Sequence, residues 1–278
     1  MIASWIDTYR VALEGAVPKG TDRGALPALP GVAAALTGLT LAKRSPARCA
    51  WIIVEGKSAL ERVYADLCAV GKSGGILPAA FPQAVEEDPD TAGARAQVIR
   101  LMRDLAGEPE EGKSDPLPHV VVAPLAAMLQ PVPDPDALRR ASITLRAGAS
   151  YAFDELAQRL TDSGYARMTD VQEPGQMAVR GGVLDIWPAT AKAPWRAEFF
   201  GSELESLRMF DPATQRSVEP GESVWIPPCA ESATLQTLRI PEVLPEGIGI
   251  VWLDHEALRF AAGTEETWSR LTEELSAR

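Results

Sequence analysis

The stretch Trp195–Phe210, WRAEFFGSELESLRMF, decides the fold of the middle of the chain. It holds two runs of strand-forming residues, Trp195–Phe200 and Leu204–Phe210, on either side of a short break. Gly201 opens that break, and a glycine at the first loop position is typical of a tight β-hairpin turn. The stretch therefore predicts two antiparallel strands joined by a turn at Phe200–Glu203.

Alternation along the first run divides its side chains between two faces. We expect one face, Trp195, Ala197 and Phe199, to be buried, and the other, Arg196, Glu198 and Phe200, to meet solvent. Large aromatic residues and arginines carry much of the energy of protein interfaces. The residues leave two interpretations open, a docking surface or a surface Arg–Glu pair with a phenylalanine beneath a domain contact.

Strands and one helix surround the hairpin. Met177–Arg180 and Val183–Trp187 are two further strand-like runs, and Arg180 ends the first of them just before a Gly-Gly pair. Tyr151–Ser163 has helical spacing and is followed by Gly164, a common helix stop. Together these elements predict a small α+β unit with an antiparallel sheet.

The first third of the chain alternates between strands and helices. Helical patterns, at Ile2–Ala16, Val32–Leu41, Ser58–Val70 and Ala92–Ala106, are interspersed with apolar strand-like runs. This alternation is typical of an α/β domain with a parallel sheet. The predicted strands are Ala50–Val54, Ile76–Ala80 and His119–Ala123.

The run PVPDPD, Pro131–Asp136, is expected to exclude both a helix and a sheet interior, so it marks a boundary. After Pro227-Pro228 the α/β pattern of the first third returns, with a strand at Gly249–Leu253 and a helix at Glu265–Ala277. We therefore predict an α/β domain from residues 1–137 and 228–278, interrupted by an α+β domain at residues 138–227. The insertion has 10 basic and 12 acidic residues, and the rest of the chain has 17 basic and 26 acidic residues.

Composition argues against several classes of protein. The net charge is −11, which disfavours nucleic-acid binding because phosphate contacts need clustered Lys and Arg. The chain has only three cysteines, Cys49, Cys68 and Cys229, without a CxxC pair, so neither a disulfide framework nor a zinc site is expected. No run is apolar enough for a membrane span. We expect a cytoplasmic protein.

Some motifs suggest enzyme chemistry, but their context does not support it. Gly107–Ser114, GEPEEGKS, matches the phosphate-loop pattern, yet a predicted helix enters it and prolines follow it. Asp254 after an apolar strand resembles a magnesium-binding acid, but a cap of the helix that follows is the favoured interpretation. His119 and His255 belong to no metal or catalytic pattern. We therefore predict no catalytic residue, no metal site and no cofactor.

The middle of the chain resembles a known domain. The segments are Gly164-Tyr165, EPGQMAVRGGVLDIWP (Glu173–Pro188) and WRAEFFGSELESLRMFDPATQRS (Trp195–Ser217). Their order is similar to the UvrB interaction domain, shared by UvrB and the bacterial transcription-repair coupling factors (Mfd). The first third resembles the coupling factors more loosely, through residues 38–67 and His119–Leu129.

The resemblance implies a function. In this family the domain docks onto UvrA, and two arginines and a phenylalanine lie on its binding face. By their positions in the motif, these residues correspond to Arg180, Arg196 and Phe200 here. Because no phosphate loop precedes the insertion apart from the unsupported match at Gly107–Ser114, the chain resembles the coupling factor, whose N-terminal module is a degenerate, nucleotide-free copy of UvrB. We expect a non-catalytic module that recruits UvrA to transcription-coupled nucleotide excision repair.

Other interpretations follow from the same resemblance. The chain stops short of the family's polymerase-binding and translocase domains, through which the intact protein contacts RNA polymerase and DNA, so we expect a fragment or a short stand-alone relative. A UvrB-like helicase fragment that binds ATP and DNA is the main rival, and it requires Gly107–Ser114 to be a working phosphate loop. A stand-alone adaptor with a different partner is the third possibility.

Overall fold

The computed structural model describes residues 31–86, 88–107, 117–229 and 236–276. The predicted first helix and most of the phosphate-loop match lie outside these residues. The chain forms two compact units. Unit 1 holds the described residues up to Gln83, Leu101–Pro131 and those from Leu238 onward, and unit 2 holds Ala84–Arg100 and Val132–Thr237.

Unit 1 is built on a four-stranded parallel sheet. Its strands are β1 (Cys49–Val54), β2 (Leu77–Ala80), β3 (His119–Pro124) and β14 (Gly249–Trp252), in the order β14-β1-β3-β2. The helices of its N-terminal part are α1 (Gly31–Arg44) and α2 (Lys57–Gly74), followed after β3 by the single turn α4 (Leu125–Met128). The tail adds α7 (Ile240–Val243), α8 (His255–Ala261) and α9 (Glu265–Ser276).

The apolar run CAWIIV makes β1 the centre of the core of unit 1. All six of its residues are buried, as expected for a parallel strand flanked by others and covered by helices. Helix α1 approaches the sheet closely at Gly38, where a Cβ would lie 2.8 Å from Cδ1 of Ile52. A larger residue there would force the side chains of Ile52 and Val120 to shift.

Unit 2 contains a six-stranded sheet in the order β11-β10-β9-β8-β7-β6. The strands are β6 (Ala166–Arg167), β7 (Gln176–Arg180), β8 (Val183–Ile186), β9 (Trp195–Phe200), β10 (Glu203–Phe210) and β11 (Ser217–Pro220). All neighbours are antiparallel except β6 and β7. A separate antiparallel pair joins β5 (Ile143–Arg146) to β12 (Ser223–Ile226).

The main core of unit 2 lies on one side of the six-stranded sheet, and a smaller buried cluster of Val171, Ala178 and Phe210 lies on the other side. Helix α6 (Phe153–Asp162) contributes Leu156 and Leu160, which pack with the apolar side chains of that sheet face. Ala197 is fully buried there, and Trp195 and Phe199 pack against the same cluster. The predicted burial of this face of β9 is therefore confirmed.

Most of the predicted elements are confirmed, and the fold is mixed α/β with parallel and antiparallel sheets, as expected. The hairpin turn is also confirmed, since Phe200 pairs with Glu203 and the positive φ is confined to Gly201, the pattern of a type II′ turn. The domain boundaries at residues 137–138 and 227–228 stay a prediction. The long helix α3 (Pro89–Ala106) begins three residues before its predicted start.

The expectation that Pro131–Asp136 excludes a helix is wrong. Helix α5 (Pro135–Ala141) begins inside this run, where the side chain of Asp134 accepts a hydrogen bond of 2.7 Å from the backbone N–H of Ala137. Proline is favoured at the first position of a helix, because its missing N–H would have no partner there. The strands β4 (Val132–Pro133) and β13 (Thr237–Leu238), which pair with each other, lie at two of the four points where the chain passes from one unit to the other.

Candidate docking face

The three predicted docking residues lie on one side of the six-stranded sheet, opposite the face that packs against α6. Arg180 is paired with Val183, and Val183 is paired with Glu198. Residues opposite one another in a β-ladder point to the same side. Arg196 and Phe200 alternate with Glu198 along β9, so they share that side. We call this side of the sheet the outer face.

Phe200 is the most accessible of the three. Its relative exposure is 77%, at the end of β9 where the chain turns through Gly201. The hairpin places the ring there because the alternation of β9 directs the preceding aromatic, Phe199, into the core on the other side. The predicted solvent exposure of Phe200 is confirmed.

Arg196 is held inside the protein by a buried partner that the sequence analysis missed. Asp185, directly opposite on β8, accepts hydrogen bonds from Nε at 2.6 Å and from Nη2 at 2.8 Å. The side chains of Arg196 and Asp185 are only 19% and 4% exposed. The expectation that Arg196 stands on a solvent face is therefore wrong, because its side chain is largely covered.

Two further contacts fix the guanidinium of Arg196. Its Cζ lies 4.7 Å from the ring centroid of Phe210, which is fully buried. Gln215 accepts two long bonds, of 3.3 Å at Oε1 and 3.4 Å at its backbone carbonyl. The hydrogen bonds to Asp185 are the main cause of the raised pKa of Arg196. The guanidinium is therefore positively charged, and it is held by Asp185, Gln215 and Phe210.

Arg180 sits in a more open environment at the end of β7. Its Nη2 donates to a carboxylate oxygen of Asp170 and to the backbone carbonyl of Thr169. The side chains of Arg180 and Asp170 are 49% and 52% exposed. An ion pair at this exposure is easily exchanged for another, since solvent screens it strongly.

A second charged cluster on the outer face lies next to Arg196 and was also missed from the sequence. Arg208 of β10 is directly opposite Arg196, and its Nη2 donates to Oε2 of Glu198 at 2.7 Å. Ser206 completes the cluster, because its hydroxyl donates to the same carboxylate oxygen and accepts from Arg208. The alternation of β10 gave the only sequence signal for these residues.

Other residues considered from the sequence have structural roles. Asp254 caps helix α8, where its side chain accepts from the backbone N–H of Ala257 at 3.1 Å. His119 opens β3, and burial lowers its pKa. Among the described residues no group of His, Cys, Asp and Glu could hold a metal ion. No helix in that part of the chain is long and apolar enough to cross a membrane.

The region that carries the outer face has known relatives. Residues 143–231 match the UvrB interaction domain. The predicted resemblance of this region is therefore confirmed. The UvrB interaction domain as matched begins at β5 and includes all six strands of the sheet, together with Arg180, Arg196 and Phe200.

Curated relatives support the same assignment. The transcription-repair-coupling factor of Bacillus subtilis is 38% identical over 112 residues, which is 40% of this chain and 10% of that protein. That of Mycobacterium bovis is 35% identical over 159 residues, 57% of this chain and 12% of that protein. That of Escherichia coli is 32% identical over 115 residues, which is 41% of this chain and 10% of that protein. The matches thus span about a tenth of the length of these relatives.

Proposed function

We propose that the UvrB interaction domain of this chain docks onto UvrA, and that the chain is a non-catalytic recruiting module of transcription-coupled nucleotide excision repair. The observation that carries the proposal is the exposure of Phe200 on the outer face, which also holds two arginines. A large ring held in water by a rigid hairpin has no role in the core of unit 2. It is suited to fill a pocket on a partner.

The two predicted arginines differ in the part they play in this docking. Arg180 is free to exchange its exposed bond to Asp170 for a carboxylate on UvrA. Arg196 keeps its bidentate bond to Asp185 and offers its remaining nitrogen, Nη1, whose only bond within the described chain is the long one to Gln215. Preorganised donors of this kind lose little side-chain entropy when the partner binds.

We further propose that residues 138–227 are the docking domain and that the parallel-sheet part, residues 1–137 and 228–278, is a nucleotide-free, helicase-like scaffold. In an intact coupling factor, other domains would meet RNA polymerase and DNA, in the cytoplasm. Helix α3 runs directly into Gly107, where a phosphate loop would need a strand, and this supports the non-catalytic assignment.

The test is binding of the whole chain to purified UvrA, measured by calorimetry, for the wild type and Phe200→Ala. Phe260→Ala is a matched control, because Phe260 is 89% exposed on α8 in unit 1. We expect a loss of about tenfold or more for Phe200→Ala and wild-type affinity for the control. A folded wild type that fails to bind UvrA would refute the docking proposal.

A further inference from the structure

The outer face carries a third arginine that belongs to none of the predicted docking positions. Arg208 stands directly across the β9–β10 ladder from Arg196, so the two side chains lie on the same side of the sheet. Side chains in such pairs are close neighbours, with Cβ atoms about 5 Å apart. A partner surface that reaches Arg196 therefore also reaches Arg208.

The two arginines differ in how many N–H groups they have left for a partner. Arg196 uses Nε and Nη2 for the buried Asp185, and its side chain is 19% exposed. Arg208 is 36% exposed, and within the described chain all its hydrogen bonds are made through Nη2. Nε and Nη1 of Arg208 are therefore available to a carboxylate outside the chain.

Glu198 and Ser206 hold Arg208 in place for such a contact. The carboxylate of Glu198 accepts from both neighbours at 2.7 Å, and Ser206 accepts from Arg208 at 2.8 Å. This anchor restrains a long side chain before binding, which reduces the entropy that binding would otherwise remove. The anchor is not buried, since the Glu198 side chain is 40% exposed.

Charge identifies the chemistry of the contact. Arg180, Arg196 and Arg208 bring three guanidinium groups to one face of a chain whose net charge is −11. Each of them is paired with a carboxylate of the same chain, Asp170, Asp185 or Glu198, so the face offers their unused N–H groups, which bind carboxylates through charge-assisted hydrogen bonds.

We propose that Arg208 is a further docking residue, whose Nε and Nη1 donate to a carboxylate on UvrA beside the UvrA pocket that Phe200 fills. The inference rests on the proposed function, because it names an additional contact of the same face. Arg208 would then act as a specificity-determining residue, while Glu198 positions it.

The experiment compares Arg208→Gln with Arg159→Gln in the whole chain, by UvrA titration at two salt concentrations. Arg159 is exposed on α6, which packs on the opposite side of the sheet, so this control removes the same charge elsewhere. We expect about a tenfold weaker affinity and a shallower salt dependence for Arg208→Gln, and no change for the control. Arg208→Lys should recover part of the salt dependence without the full affinity, because lysine lacks the planar fork.

The outcomes separate this inference from the proposed function. Wild-type binding that Phe200→Ala abolishes and Arg208→Gln leaves unchanged would overturn the assignment of Arg208 alone. Absence of wild-type binding would overturn the docking function itself. Equal losses for Arg208→Gln and Arg159→Gln would show a general charge effect and would also overturn the assignment. Thermal unfolding of Arg208→Gln is expected to match the wild type, since the remaining Glu198 is accessible to water.

Discussion

Replacement of Arg196 by methionine is expected to destabilise unit 2, whatever it does to docking. The substitution keeps most of the apolar stem and removes the guanidinium, so it leaves the carboxylate of Asp185 buried without its bidentate partner. Only 4% of the Asp185 side chain is exposed, and water cannot replace the lost bonds. Removing one partner of a buried ion pair costs about 3–5 kcal/mol.

That loss is large against the roughly 5–15 kcal/mol that stabilises a typical domain. Hydrogen exchange of the amides of β8 and β9 measures it, because local exchange reports the opening of unit 2 separately from unit 1. Arg180→Met is the matched control on the same face. Its partner Asp170 is half exposed, so that substitution should cost at most about 1 kcal/mol.

A double substitution tests the reasoning further. Combining Arg196→Met with Asp185→Leu removes both charges, and a buried ion pair replaced by apolar groups is often neutral in stability. We therefore expect the double variant to be more stable than Arg196→Met alone. A single variant that costs less than about 1 kcal/mol, or a double variant that costs the sum of the two singles, would refute the buried-pair argument.

Three other predictions concern stability and reactivity. Gly93→Ala should destabilise unit 2, because a Cβ there would lie 2.2 Å from the carbonyl oxygen of Ala189. Gly71→Ala in α2 is the control and should be tolerated, since its Cβ would meet only ordinary contacts of 3.4 Å and more. Thermal unfolding of the two variants measures the difference. Burial lowers the pKa of His119 below 6.5, so the folded state disfavours the protonated imidazole. The free energy of unfolding is therefore unaffected by this group above about pH 6.5 and decreases as the pH falls from there towards the folded-state pKa. His119→Gln should therefore flatten the acid limb of stability measured by urea titration between pH 5 and pH 7, a range set by the ordinary pKa of about 6.5. Burial raises the pKa of the Cys49 thiol to about 12, so alkylation at about pH 8, detected by mass spectrometry, should require unfolding.

Local sequence signals were sufficient for the hairpin and for the exposure of Phe200. The alternation of β9 and the glycine that follows it act within seven residues, and no distant contact is needed to interpret them. The helix start at Pro135 also had a local signal, an aspartate followed by a proline, which is a common helix beginning. Counting its prolines only as helix breakers gave the wrong expectation there.

The environment of Arg196 could not be predicted in the same way. Asp185 is the only charged residue in the run VLDI, and in the sequence it could face either side of a strand. The register that sets it opposite Arg196 depends on the connection between Ile186 and Trp195, whose length does not fix the pairing. The burial of the pair depends further on Phe210, which arrives from a third strand.

The parallel sheet of unit 1 is completed by a strand that is synthesised late. Ala50 of β1 pairs with Gly249 of β14, about 200 residues further along the chain. At translation rates of about 5–20 residues per second, one edge of the apolar strand β1 waits roughly 10–40 s for its neighbour to leave the ribosome. During that interval the side of CAWIIV that pairs with β14 is an open, apolar strand edge, the kind of edge at which chains aggregate.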